Sequence, residues 1–175
     1  MRVNTRSGPA SAPITAPVWW QAGLYLVLAL LAQITVMHYL TFRGAEPSLV
    51  LVAVVWYALR ADLLYAAAFG FVAGLCEDAF SAFPAGAGAG WIVALPITTL
   101  FVSWLSRWFF ADSIPVVAGV VAIATLFSRM LFWVLMALQG YPAGYARLHL
   151  HQALWEALLN AILAGLLMLI GRSRE

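Results

Sequence analysis

Glu77 and Asp78 stand side by side at the end of the apolar run Gly70-Phe71-Val72-Ala73-Gly74-Leu75-Cys76, and Arg129, Glu156 and Asn160 interrupt two later apolar runs. Glu156 and Asn160 are four residues apart and share one helix face. Charged and amide side chains at such positions are costly unless they are paired. They point to a polar pocket, a contact with a partner helix, a proton relay through Asp78 or Glu156, or an internal ion pair that sets helix register. Other chemistry is weaker. His149-x-His151 lacks a third ligand in reach, so it makes a poor metal site and reads as a solvated loop. No nucleophile elbow, phosphate loop, zinc-protease motif or dinucleotide fingerprint occurs. The expectation is a protein that is not an enzyme, with no catalytic residues, no cofactor and no metal.

The solvent of these groups follows from composition. The chain is 65% hydrophobic and 9% charged, with a mean hydropathy of +0.94, against roughly 25% charged residues in a soluble domain. This is the composition of an integral membrane protein. Its 175 residues accommodate about six helices of roughly 20 residues with short connections and leave no room for a separate soluble domain. Residues 1–17, rich in Ser, Thr, Pro and Ala, read as a disordered cytoplasmic tail. The apolar run that follows is longer than the roughly 7–15 residues of a signal-peptide core, so it is expected to persist as a span.

Helices are predicted at about Val18–Tyr39, Pro47–Leu59, Leu63–Phe83, Trp91–Phe110, Ile114–Leu138 and Gln152–Ile170. Together they form a single six-helix transmembrane domain over 18–171, followed by a short tail at 172–175. The second segment reaches about 20 Å against a hydrocarbon core of about 30 Å, so it must be short, tilted or covered by protein. With both termini cytoplasmic, Arg2, Arg6, Arg60, Arg107, Arg172 and Arg174 lie inside, Arg43 and Arg147 outside, and Arg129 within the membrane. That bias obeys the positive-inside rule. Trp19, Trp20, Trp56 and Trp108 then form an inner aromatic belt, and Tyr39, Trp91, Tyr141 and Tyr145 an outer one. Gln139–His151 reads as the longest outer loop, and Pro96 should kink the fourth helix.

Ala66, Gly70 and Gly74 recur every four residues and line one face of the third helix, which lets a second backbone approach closely. Depth along the helices gathers Glu77, Asp78, Arg129, Glu156 and Asn160 into the outer half of the bundle, with Arg129 and Asn160 at similar depth and able to face each other. Arg129 could pair with Glu156 or with Asp78. The lone cysteine, Cys76, excludes an intrachain disulfide and reads as a small buried residue.

The series Pro47-Ser48-Leu49-Val50-Leu51, Tyr57-Ala58-Leu59-Arg60, then Gly70-Phe71-x-x-Gly74-Leu75-x-x-Asp78-x-x-Ser81 and a glycine-rich turn resembles the MreD family of rod-shape-determining membrane proteins. The resemblance is most specific over Pro47 to Gly90. It implies a non-enzymatic, multi-pass subunit of the bacterial inner membrane that supports rod shape and lateral peptidoglycan synthesis. The partner it implies is MreC, within a wider complex of MreB, RodA and a class B penicillin-binding protein. Ala85-Gly86-Ala87-Gly88-Ala89-Gly90 and the second acid, Glu77, depart from the family pattern. A competing reading, resting on the depth clustering of Arg129, Glu156 and Asn160, is an outward-facing small-molecule binder resembling the substrate-capture subunits of vitamin transporters.

Overall fold

Six apolar stretches become α-helices in the computed structural model, which describes residues 19–80, 90–108 and 113–172. They are α1 (Trp19–Thr35), α2 (Leu49–Ala58), α3 (Leu63–Phe80), α4 (Gly90–Leu105), α5 (Ile114–Leu138) and α6 (Ala146–Arg172). The tail predicted at 1–17, the end of the C-terminal tail and the turn containing residues 84–89 lie outside the described residues. Three helices, Leu63–Phe80, Ile114–Leu138 and Ala146–Gly171, are long and apolar enough to cross a membrane. They mark the chain as an all-helical membrane protein. The side chains turned away from the bundle agree, because Leu24, Leu28 and Leu31 on α1 and Leu154, Leu158, Ile162 and Leu169 on α6 are about half exposed or more. Apolar residues in such positions are suited to lipid rather than to water.

α2 is the centre of the bundle. It has ten residues, of which Val50, Leu51, Val52, Val54, Val55, Tyr57 and Ala58 are buried, and it packs against each of the other five helices. A helix apolar on every face is stable only when it is surrounded. Its shortness, anticipated from length alone, is thus met by protein cover. α1 packs chiefly on α2 through Ala22, Leu26 and Leu30, and α6 packs on α5 and α2.

Two connections differ from expectation. α1 stops at Thr35, whose hydroxyl donates to the Leu31 carbonyl at 2.6 Å, and Met37–Leu40 forms a separate 3-10 turn. α6 starts at Ala146 rather than Gln152, so His149 and His151 lie on a helix and not in the predicted loop. Its inward positions there are His149, Gln152 and Ala153, and polar residues at helical spacing hide the apolar period that normally reveals a helix. Pro115 sits in the first turn of α5, where it removes no helical hydrogen bond. Pro96 lies inside α4, and the Thr98 and Thr99 hydroxyls donate to the Ala94 and Pro96 carbonyls around it at 2.8 and 2.7 Å.

The small-residue face of α3 packs against α4. Ala66, Gly70 and Gly74 are buried. A Cβ on Gly70 would lie 2.6 Å from Thr99 Oγ1 and 2.9 Å from the Leu95 carbonyl oxygen. One on Gly74 would lie 2.9 Å from Ile92 Cα and closer still to the Trp91 carbonyl. Both contacts of Gly74 are backbone, so no side-chain rotation relieves them. At the far end of the bundle Ser103 Oγ donates to the Ala61 carbonyl at 3.2 Å, fastening α4 to the α2–α3 link.

Gly74→Ala is therefore expected to force α3 and α4 apart and to lower stability by about 2 kcal/mol or more. Gly119→Ala on α5, where nothing lies within 4 Å of the new Cβ, should cost nothing and gain up to about 1 kcal/mol of helix propensity. Thermal unfolding of the two variants in one detergent checks the contrast.

Candidate functional site

A helix buried at its start must find acceptors for its first N–H groups. At α2 the chain supplies them from three helices. Ser48 caps its own helix, its Oγ accepting from Leu51 N at 3.1 Å, as Ser does at N-caps. Gln33 of α1 turns its Oε1 onto Leu49 N at 2.7 Å and, less closely, onto Val50 N at 3.4 Å. Asn160 of α6 accepts from Ser48 N at 2.7 Å and donates through Nδ2 to Thr125 Oγ1 of α5 at 3.2 Å. Asn160 and Thr125 are fully buried. Asn160 therefore bridges α2 and α5 and does not face Arg129.

Arg129 pairs with Glu156. Its Nε lies 2.5 Å from Glu156 Oε2, and Glu156 is only 4% exposed. The guanidinium carbon sits 4.8 Å from the centre of the Trp91 ring, a cation–π contact across α5 and α4. Trp91 stacks on Phe132 with ring centroids 4.4 Å apart. That stack requires glycine at the start of α4, because a Cβ on Gly90 would meet Phe132 Cε2 at 2.6 Å.

The adjacent acids separate, as neighbours about 100° apart around a helix must. Asp78 leaves the cluster and caps α4, its two oxygens accepting from Trp91 N at 3.1 Å and Ile92 N at 2.8 Å. Negative charge at a helix N-terminus is favourable. Glu77 instead lines a small void of about 30 Å³ together with Gln33, Ser48, Ser128, Arg129 and Glu156.

Arg129 and Glu156 also wall a larger cleft of about 380 Å³ between the Phe42–Ala45 turn, α5 and α6. Glu46, Phe132, Trp133, His149 and Gln152 complete much of its lining. His149 thus faces the cleft, while His151 Nε2 accepts from Trp155 Nε1 at 3.2 Å. The two histidines do not converge, and among the described residues no group of three His, Cys, Asp or Glu side chains is placed to hold a metal.

Of the residues singled out in the sequence, Glu77, Arg129 and Glu156 meet around one void, and Asn160 joins them through Ser48. Asp78, Ala66, Gly70 and Gly74 belong to the α3–α4 contact. Sequence reasoning missed Gln33, Ser48, Trp91 and Thr125. Ser48 had a usable signal, a capping residue just before an apolar run. Gln33 had another, being a lone amide in an apolar helix.

The arrangement joins an ion pair, with Glu156 buried and Arg129 partly exposed on the wall of a cleft, to the hydrogen bonds among Ser48, Asn160 and Thr125. No protein-family model, curated protein or solved structure matches the chain at a significant level.

Truncating one member of the pair tests what holds the cluster. Arg129→Met strands a buried carboxylate and should cost about 3–5 kcal/mol, most of which the double change Arg129→Met with Glu156→Leu restores. Gln33→Leu removes the acceptor shared by two part-buried N–H groups and should cost about 1–3 kcal/mol. Reversible unfolding in mixed micelles reads each value.

Proposed function

We propose that this chain is a six-span, non-enzymatic scaffold subunit of the bacterial inner membrane, of the MreD type, whose role is to hold MreC within the machinery that elongates rod-shaped cells. The observation that carries the reading is the joint between α3 and α4. Gly70, Gly74 and Asp78, which carry much of the resemblance, are the residues that let α4 approach α3 and cap its first turn. Ser48, from the other part of the resemblance, caps the central helix. A pattern whose residues lock helices together suits a protein whose task is to present a fixed shape to partners.

The topology is part of the proposal. α1, α2 and α4, at 17, 10 and 16 residues, fall short of a full span by helix length alone. The arginine distribution favours six crossings with both termini cytoplasmic. The half-exposed apolar faces of α1 and α6 offer a spanning partner helix a surface of its own kind, on which association rests on close packing. MreC, with one spanning helix, is the expected partner. MreB, RodA and a class B penicillin-binding protein are expected through it.

Affinity purification of the tagged chain from native membranes, followed by mass spectrometry, decides the partner. MreC is expected in near-equal amount, with RodA and the penicillin-binding protein at lower yield, and depletion of the chain should round the cells. Recovery of folded chain without MreC would refute the reading.

A further inference from the structure

The scaffold reading makes no use of the small void that the Arg129–Glu156 pair borders. All six helices contribute to its lining: Gln33 from α1, Leu51 from α2, Glu77 from α3, Trp91 from α4, Arg129 from α5 and Glu156 from α6. Its volume is about 30 Å³. A cavity needs roughly 10–15 Å³ to hold one water, together with two to four polar partners. The void has the room.

Its lining also has hydrogen bonds left to make. Ser48 is buried, and its Oγ accepts from Leu51 N, but among the described residues nothing accepts the proton of that hydroxyl. Gln33 Oε1 serves Leu49 N and Val50 N, while no described residue accepts from its Nε2. Ser128, fully buried, donates to the Thr125 carbonyl at 2.9 Å and keeps lone pairs with which to accept. Ser48 and Ser128 line the same void as Gln33 and Glu156.

A buried polar group left without a partner costs about 1–3 kcal/mol. Lipid around the bundle supplies none. Apolar cavities stay dry, whereas polar cavities of sufficient size take up water. We propose that this void is a site for an ordered water, which accepts from Ser48 Oγ and Gln33 Nε2 and donates to Ser128 Oγ and the Glu156 carboxylate. One molecule then completes four bonds and ties α1, the start of α2, α5 and α6 together. Arg129 and Glu156 also line the larger cleft, so the ion pair borders both spaces and the water enters past it. The proposal is independent of the scaffold reading, because a bundle of any function must solvate these groups.

The full-length chain in lipid nanodiscs is imaged at a resolution that places water, and the same sample is given a brief X-ray pulse, with oxidised side chains mapped by mass spectrometry. Density is expected at about 2.7–3.2 Å from Ser48 Oγ and Ser128 Oγ, the range of hydrogen bonds. Hydroxyl radicals formed from a held water should oxidise Leu51 and Leu95, which line the void and are 3% and 1% exposed. Their oxidation should run several-fold faster than that of Leu26, which is 4% exposed and outside the lining. Ser128→Val fills the void with apolar bulk and should bring both leucines down to the rate of Leu26. If that variant does not fold, the density and labelling of the unaltered chain decide. No density, with Leu51 and Leu95 oxidised no faster than Leu26, overturns the proposal. So does a peak whose oxygen neighbours lie at about 2.3–2.6 Å, the spacing of a metal cation, or labelling that folded Ser128→Val leaves unchanged.

Discussion

Four consecutive backbone N–H groups, Ser48 to Leu51, begin a helix that is enclosed on every side. Away from water each would cost several kcal/mol if left without an acceptor. The rest of the bundle is arranged around meeting that demand. Gln33 comes from α1, Asn160 from α6, and Thr125 of α5 holds the other end of the Asn160 amide. A short apolar helix can occupy the centre only because its neighbours turn polar side chains toward its first turn.

The same end of the bundle gathers Glu77, Asp78, Arg129 and Glu156 for a related reason. α2 and α4 both begin there, and the positive ends of helices favour nearby carboxylates. Asp78 answers α4 directly. Glu77 and Glu156 stand beside Arg129 around the void that Ser48 also lines. The α3–α4 contact sets the rotation of α3. Because Gly74 must lie against Trp91 and Ile92, Asp78, four residues on and on the same face, is delivered to the first turn of α4, while Glu77 is turned toward Arg129.

Much of this was legible in the sequence, and the gaps have physical causes. The six helices follow from apolar runs, and the brevity of α2 from its length. The Glu156 and Asn160 face is a matter of i, i+4 spacing, and charge pairing in lipid made a partner for Arg129 a near necessity. The start of α6 was missed because His149 and Gln152 face a cleft, so the inward stripe is polar there. The partners of Asn160 were not legible for a different reason. Depth along a helix gives height in the bundle but not azimuth, and Asn160 points to Ser48 and Thr125, while Glu156, one turn away, takes Arg129.

By itself the sequence determined the solvent and the elements. A chain 65% hydrophobic with 9% charged residues must turn apolar surface outward, and backbone groups in lipid must be satisfied within helices. Both follow from local composition and need no knowledge of packing. Only the tertiary structure decided which of two adjacent acids caps a helix and which joins an ion pair, and that Gln33 and Asn160 serve the start of α2. Those outcomes depend on how each helix is rotated about its axis, and rotation is set by close contacts between residues far apart in the chain, such as Gly74 against Trp91.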